Sequence, residues 1–174
     1  FKEGANADWH NRLIWGDNKY VMASLLSEFA GKIDLIYIDP PFATGADFSV
    51  KMEIGDVEWT KEPSAIEDKA YRDTWGRGLD SYLQMMYERL VLMRELLSDK
   101  GSIYVHLDWH VGHYVKLIMD EVLGKENFKN EVIWYYSGGG ASREQWARKH
   151  DSIYFFSKGV HWTFNVDEVR QEYK

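Results

Sequence analysis

Short apolar runs alternate with stretches of helical period along this chain, and that alternation constrains its fold more than any other feature. Arg12-Leu13-Ile14-Trp15-Gly16-Asp17 reads as a strand closing in a turn, and residues 19–29 as an amphipathic helix that Asn18 caps and Gly31 stops. Residues 33–38 form an apolar strand running into Asp39-Pro40-Pro41, where proline forbids continuation of the ladder. Leu83, Met86, Leu90, Met93 and Leu97 recur at near-helical spacing over residues 79–97, with Gly101 as the stop. Residues 102–107 then read as a strand, 111–123 as a helix ending at Gly124, and 132–136 and 152–156 as two further strands. This order predicts an α/β fold with a mostly parallel sheet. No helix separates the final two strands, so the last is expected to run antiparallel. Residues 43–77 show charges, glycines and scattered tryptophans without period. They read as a long irregular excursion with a short helical turn at 64–71, of a length that is usually functional.

The chain has 174 residues, 45% of them hydrophobic and 16% aromatic, with 3 prolines, which suits one folded domain rather than a disordered segment. No apolar stretch approaches the roughly 18 residues that a membrane span needs, and the first residues carry no signal-peptide pattern, so a soluble, non-secreted chain is expected. The absence of cysteine excludes disulfides, thiolate metal sites and any cysteine nucleophile, and with the last of these methylation of cytosine at C5. A net charge of −7 argues against a surface built throughout to grip phosphates, so any nucleic-acid contact must be local.

In an open α/β sheet, ligand sites lie outside the carboxyl ends of the strands, which places Asp17, Asp39, residues 106–108 and residues 137–140 on one rim. Asp39-Pro40-Pro41-Phe42 is the most specific of these. Two prolines fix the backbone after an apolar strand, leaving a carboxylate, a carbonyl outside the ladder and an aromatic plate side by side, a set that fits a planar ring bearing an amino group. The same residues also serve simply to end a strand and pack a phenylalanine, and composition alone does not separate the two. A nucleotide-binding strand of the Walker-B kind is excluded, because no Gly-x-x-x-x-Gly-Lys-Ser/Thr loop occurs. Asp17 is by type either a ligand-binding acid or a helix cap. His106, Asp108, His110 and His113 fall within eight residues, yet the first pair belongs to a strand and the second to the following turn and helix. No metal site is expected there; His106 and Asp108 fit better as lining of the pocket. Ser137-Gly138-Gly139-Gly140 lacks dinucleotide-binding spacing. Arg143, Arg148, Lys149 and His150, with Trp146 among them, form either a contact for a DNA backbone or a solvated charged face.

Ile38-Asp39-Pro40-Pro41-Phe42 resembles the Asp-Pro-Pro-Tyr/Phe motif of the amino-directed DNA methyltransferases, in particular their β-class, which includes the modification enzymes of type III restriction systems. The resemblance extends to Asn11-Arg12-Leu13-Ile14-Trp15-Gly16-Asp17-Asn18, Ser102-Ile103-Tyr104-Val105-His106-Leu107-Asp108, Asn130-Glu131-Val132-Ile133-Trp134 and Lys149-His150-Asp151, covering roughly residues 11–168. It implies a partial Rossmann-like methyltransferase sheet that transfers a methyl group from S-adenosylmethionine to the N6 amine of adenine in double-stranded DNA. N4 of cytosine is the chemically equivalent alternative. It further implies that Asp39, Pro40, Pro41 and Phe42 are catalytic, that Asp17 and Asp39 bind the cofactor, and that Phe42, Arg143, Arg148 and Lys149 meet the DNA.

One element of the family is missing. A Phe-x-Gly-x-Gly turn beside the methionine part of the cofactor does not occur, and Trp75-Gly76-Arg77-Gly78, which precedes a helix without a strand before it, is no substitute. Residues 1–161 are therefore expected to be the catalytic part of the domain and 162–174 the start of a target-recognition region. Such a chain alone is expected to bind the cofactor incompletely and turn over little or nothing, or to act as a non-catalytic DNA-binding or assembly fragment. Its expected partners are DNA and a missing C-terminal half, a restriction subunit or a second copy, in the cytoplasm of a bacterium or archaeon, at the nucleoid and away from membranes.

Overall fold

The computed structural model describes residues 11–42, 50–54, 57–61, 78–137 and 143–170. Helix α1 (Asn18–Phe29) is capped by Asp17, one residue ahead of the expected Asn18: the Asp17 carboxylate accepts the Lys19 N–H at 2.8 Å. Strand β1 (Ile33–Ile38) follows. Residues 12–17 do not form the expected strand, and Leu13 and Trp15 stand exposed. The physical reason is pairing: β1 is the edge of its sheet, with no strand on its outer side among the described residues, and a lone extended segment has no ladder to join.

The 43–77 excursion is not wholly irregular. Strands β2 (Val50–Ile54) and β3 (Val57–Lys61) pair antiparallel as a separate two-stranded sheet, with Met52 opposite Trp59. The alternation Val50, Met52, Ile54 and Val57, Trp59 around Gly55-Asp56 is a period-two signal that the neighbouring charges obscure. The helical turn expected at 64–71 lies outside the described residues.

Helix α2 (Leu79–Leu96) passes directly into strand β4 (Leu97–Asp108), which starts five residues earlier than the expected 102. Gly101 is thus not a helix stop. It belongs to an irregularity in the ladder with β1, where Ile33 pairs Leu97 but Leu35 already pairs Ser102. A Cβ on Gly101 would stand 2.8 Å from the Ile33 carbonyl oxygen, so only glycine lets the two backbones approach there. Helix α3 (Gly112–Leu123) ends at Gly124, whose φ of 92° suits glycine. A 3-10 turn (Lys125–Asn127), β5 (Phe128–Tyr135), β6 (His150–Ser157) and a one-turn helix α4 (Val166–Val169) complete the chain.

The main sheet has the order β1-β4-β6-β5. β4 is parallel to β1, while β6 is antiparallel to both β4 and β5, so three strands run one way and the last opposes them, as the sequence implied. Helices α2 and α3 cover one face. Tyr82, Met86, Leu90 and Met93 from α2 and Val115 and Met119 from α3 pack on Ile103, Val105, Leu107 and Phe156. Each such fully buried side chain contributes about 1.5–3 kcal/mol. Tyr82 is buried more completely than the Leu83 that the spacing singled out. Ile36 and Ile38 turn toward this core, which leaves Leu35 and Tyr37 on the other, open face. Among the described residues no helix is long and apolar enough to cross a membrane.

Candidate active site at the carboxyl edge of the sheet

Asp39 leaves β1 at its carboxyl end, and Pro40, Pro41 and Phe42 follow half-buried, with Phe42 resting against the edge of the core. The neighbouring strand brings His106 beside them. The Phe42 and His106 rings meet edge to face at 5.7 Å, and His106 Nδ1 lies 3.1 Å from the Tyr37 hydroxyl and 3.8 Å from Asp39 Oδ1. β6 runs antiparallel to β4, so its start faces the end of β4 and delivers Asp151, whose Oδ2 is 3.3 Å from His106 Nε2. The Tyr136 hydroxyl, just past β5, reaches Asp151 Oδ1 at 3.5 Å.

Burial separates these groups. The Asp39 side chain is 55% exposed, whereas those of His106 and Asp151 are 17% and 15% exposed. One carboxylate is open to a ligand, and the imidazole and second carboxylate behind it are shielded. Tyr37 is raised above the ordinary tyrosine pKa by burial and then by the charge of Asp39; Tyr136 is raised by burial and by Asp151. A tyrosine is protonated at neutral pH even without these shifts, so both hydroxyls are available as donors.

Asp108 turns the chain out of the sheet: its carboxylate accepts the His110 N–H at 2.9 Å and meets His110 Nδ1. Trp109 stacks on His110 at 3.6 Å, and the Arg148 guanidinium lies 3.9 Å from the Trp109 ring. Arg148 thus comes to the same rim as Asp39. Lys149 is half-buried, and its carbonyl accepts the Tyr136 N–H at 3.2 Å; Arg143 and Trp146 are exposed. The run 138–140 lies outside the described residues. The histidines and acids of residues 106–113 separate into distinct contacts, His106 with Asp151, His110 with Asp108 and His113 against Tyr114.

Asp17 is drawn to the helices rather than to this cluster, accepting from the Lys19 N–H and from Arg89 Nη2 at 3.2 Å on α2. Sequence reasoning missed Tyr37, Tyr136 and Asp151 as site residues. Tyr37 was available from strand alternation, two positions before Asp39 on the same face. Asp151 lies in the Lys149-His150-Asp151 segment of the resemblance, but its place beside His106 depends on the pairing of β6 with β4.

The family model for DNA methylases of the N6/N4 type matches residues 33–174, spanning β1 and every later element. The chain belongs to the N6/N4 DNA methylase family. It is 35% identical over 156 residues to the type II methyltransferase M.EcaI of Enterobacter cloacae, covering 89% of this chain and 31% of that protein. It is 34% identical over 143 residues to the StyLTI Mod subunit of the type III restriction-modification enzyme of Salmonella typhimurium, covering 74% of this chain and 21% of that subunit. This DNA methylase chain therefore spans a third or less of the length of these relatives. Among solved structures it resembles PvuII DNA methyltransferase, described as cytosine-N4-specific, with a TM-score of 0.54 at 17% identity over 88% of this chain and 51% of that one. That likeness establishes the Rossmann-like methyltransferase fold.

Proposed function

We propose that this chain carries the catalytic centre of an S-adenosylmethionine-dependent DNA methyltransferase acting on the N6 amine of adenine. The observation that carries the reading is the half-exposed Asp39 carboxylate at the end of β1, followed by Pro40-Pro41-Phe42 and backed by a shielded His106. The lone pair of an exocyclic amine is delocalised into its ring, so the nitrogen attacks only when its hydrogens are drawn away. Asp39 Oδ and the Pro40 carbonyl accept those two N–H bonds and favour a pyramidal nitrogen. Phe42 supplies the face on which a flipped base stacks, offsetting part of the few kcal/mol that extrusion costs. No covalent enzyme intermediate is needed, in keeping with a chain that has no cysteine.

The donor chemistry of the rim suits the cofactor, which when bound supplies an electrophilic methyl on a sulfonium. Carboxylates favour that cation and the hydroxyls of a ribose. Asp39 is open to serve; Asp17 would have to share its carboxylate with Arg89. Arg148 beside Trp109, with Arg143 and Lys149, would hold the DNA backbone. Residues 162–174 would begin a target-recognition region, and a second copy or a restriction subunit would be the protein partner, the latter in line with the Mod-subunit relative.

Cytosine N4 is the second reading, because the same two acceptors serve either amine; Asp rather than Ser at the head of the motif favours adenine. The 174-residue chain by itself is expected to methylate little or nothing, since β1 has an open edge among the described residues and the Phe-x-Gly-x-Gly turn is absent from its sequence. The test is transfer of labelled methyl from S-adenosylmethionine to duplex DNA by the full-length protein. Activity that Asp39→Ala reduces to background supports the reading, and activity that survives the substitution refutes it.

A further inference from the structure

Attack by an amine on a methyl sulfonium leaves the nitrogen as a cation, and one of its two hydrogens must depart as a proton. Asp39 can accept that proton first, but an exposed carboxylate is a weak base and does not hold it. Behind Asp39 stands an imidazole in line with a second carboxylate: Asp39 Oδ1, then His106 Nδ1 at 3.8 Å, with His106 Nε2 against Asp151 Oδ2 at 3.3 Å. We infer that His106, oriented by Asp151, is the positioning residue that receives the amine's proton from Asp39. This rests on the methyltransferase reading above.

The carboxylate at Nε2 decides the tautomer. Ionised Asp151 can only accept, so Nε2 carries the hydrogen and Nδ1 presents its lone pair to β1. In the resting site the Tyr37 hydroxyl donates to that lone pair at 3.1 Å. Tyr136 donates to the other oxygen of Asp151. The titratable groups around the ring are thus Tyr37 from β1, Asp39 just past it, Tyr136 beyond β5 and Asp151 from β6. A 3.8 Å gap is longer than a hydrogen bond, as such gaps often are before substrate closes a site.

The nitrogen lone pair forms the new N–C bond, and the S–C bond breaks with its electrons kept by sulfur. The nitrogen sheds one proton to Asp39, neutralising the carboxylate. Asp39 passes that proton to Nδ1 as the Tyr37 hydroxyl turns aside, giving an imidazolium whose Nε2–H stays against the Asp151 carboxylate. Solvent then takes the proton. Asp151 is never protonated, and its part is orientation and charge.

Asp151→Asn tests the inference in the full-length protein, because an amide can donate to Nε2 and so force the hydrogen onto Nδ1. Methyl transfer to duplex DNA and ¹⁵N spectra of the histidine rings are read together, with His106→Gln assigning the signal by its loss. We expect Nε2–H in the parent, Nδ1–H in Asp151→Asn, and a fall in kcat of at least about tenfold in both variants, with KM for DNA and cofactor within about twofold. Nδ1–H in the parent overturns the inference even if a variant fails to fold. So does an unchanged kcat in Asp151→Asn, or a KM rise that accounts for the whole loss. A parent with no methyl transfer at all refutes the underlying reading as well, whereas a fully active Asp151→Asn refutes only the role of His106.

Discussion

Gly101→Ala probes the contact that sets β1 against β4 and so places Asp39 beside His106. The new Cβ would meet the Ile33 carbonyl oxygen at 2.8 Å, Leu97 Cδ2 at 2.9 Å and the Ser98 carbonyl oxygen at 3.0 Å. A flexible side chain gives way to a methyl group, but two of these three neighbours are backbone atoms held in the β1–β4 ladder. Relief requires the ladder to open at its irregular step. Overpacking of this kind costs about 1–3 kcal/mol, and a denaturant slope of about 2 kcal/mol per molar urea turns that into a midpoint lowered by about 0.5–1.5 M. Lys100→Ala, the exposed neighbour, is the control and should stay within about 0.5 kcal/mol of the parent. Urea unfolding followed by tryptophan fluorescence reads both variants. A Gly101→Ala protein as stable as Lys100→Ala would refute the close approach, and with it the register that aligns Tyr37 with Tyr104 and brings His106 to Asp39.

Leu90→Ala removes a fully buried side chain from the α2 face and should cost about 2–5 kcal/mol in the same assay. Tyr82 is raised well above the ordinary tyrosine pKa, by burial first and by the charge of Asp108 second. Its contribution is therefore complete below the unfolded value near pH 10, and as pH rises further it is lost at about 1.4 kcal/mol per unit until the folded value is passed. Tyr82→Phe should flatten the alkaline fall in stability measured by urea midpoints above pH 10. Lys116 lies 4.3 Å from the Phe128 ring centre and pairs with Asp120 at 2.8 Å, both largely shielded, so Lys116→Ala should lower stability by about 1 kcal/mol, again read from urea midpoints. Arg148→Ala should weaken DNA binding by the full-length protein for all sequences alike and reduce the salt slope of binding by about one. A slope that does not change would remove Arg148 from the interface.

The parts of this fold that were legible in the sequence are those whose signal is local. Helices α2 and α3 carry their period within one stretch, and β1 is a short run, apolar but for Asp34, that ends at Asp39 and two prolines. The Asp39-Pro40-Pro41-Phe42 run that ends this strand was legible for the same reason. What was not legible depends on partners distant in sequence. Residues 12–17 look like a strand, but a strand exists only where a neighbour accepts its ladder. Gly101 has the look of a helix stop until the approach of Ile33 explains it. Asp17 shows both sides of one ambiguity: residue type allowed a cap or a ligand, and the cap is the contact present. The reversal of β6 was expected from the missing helix before it, but the register that sets Asp151 opposite Asp108 and Trp134, and so brings Asp151 to His106 and Tyr136, is recorded in no short pattern.

The identity of the methylated nucleoside formed by the full-length protein tests both the proposed site and its target amine. Duplex DNA treated with S-adenosylmethionine and enzyme is digested to nucleosides and resolved by mass spectrometry, for the parent and for Asp39→Ala. N6-Methyladenine is expected from the parent and none above background from the variant. N4-methylcytosine as the product would contradict the assignment to adenine, and N6-methyladenine formed equally by Asp39→Ala would contradict the proposed site itself.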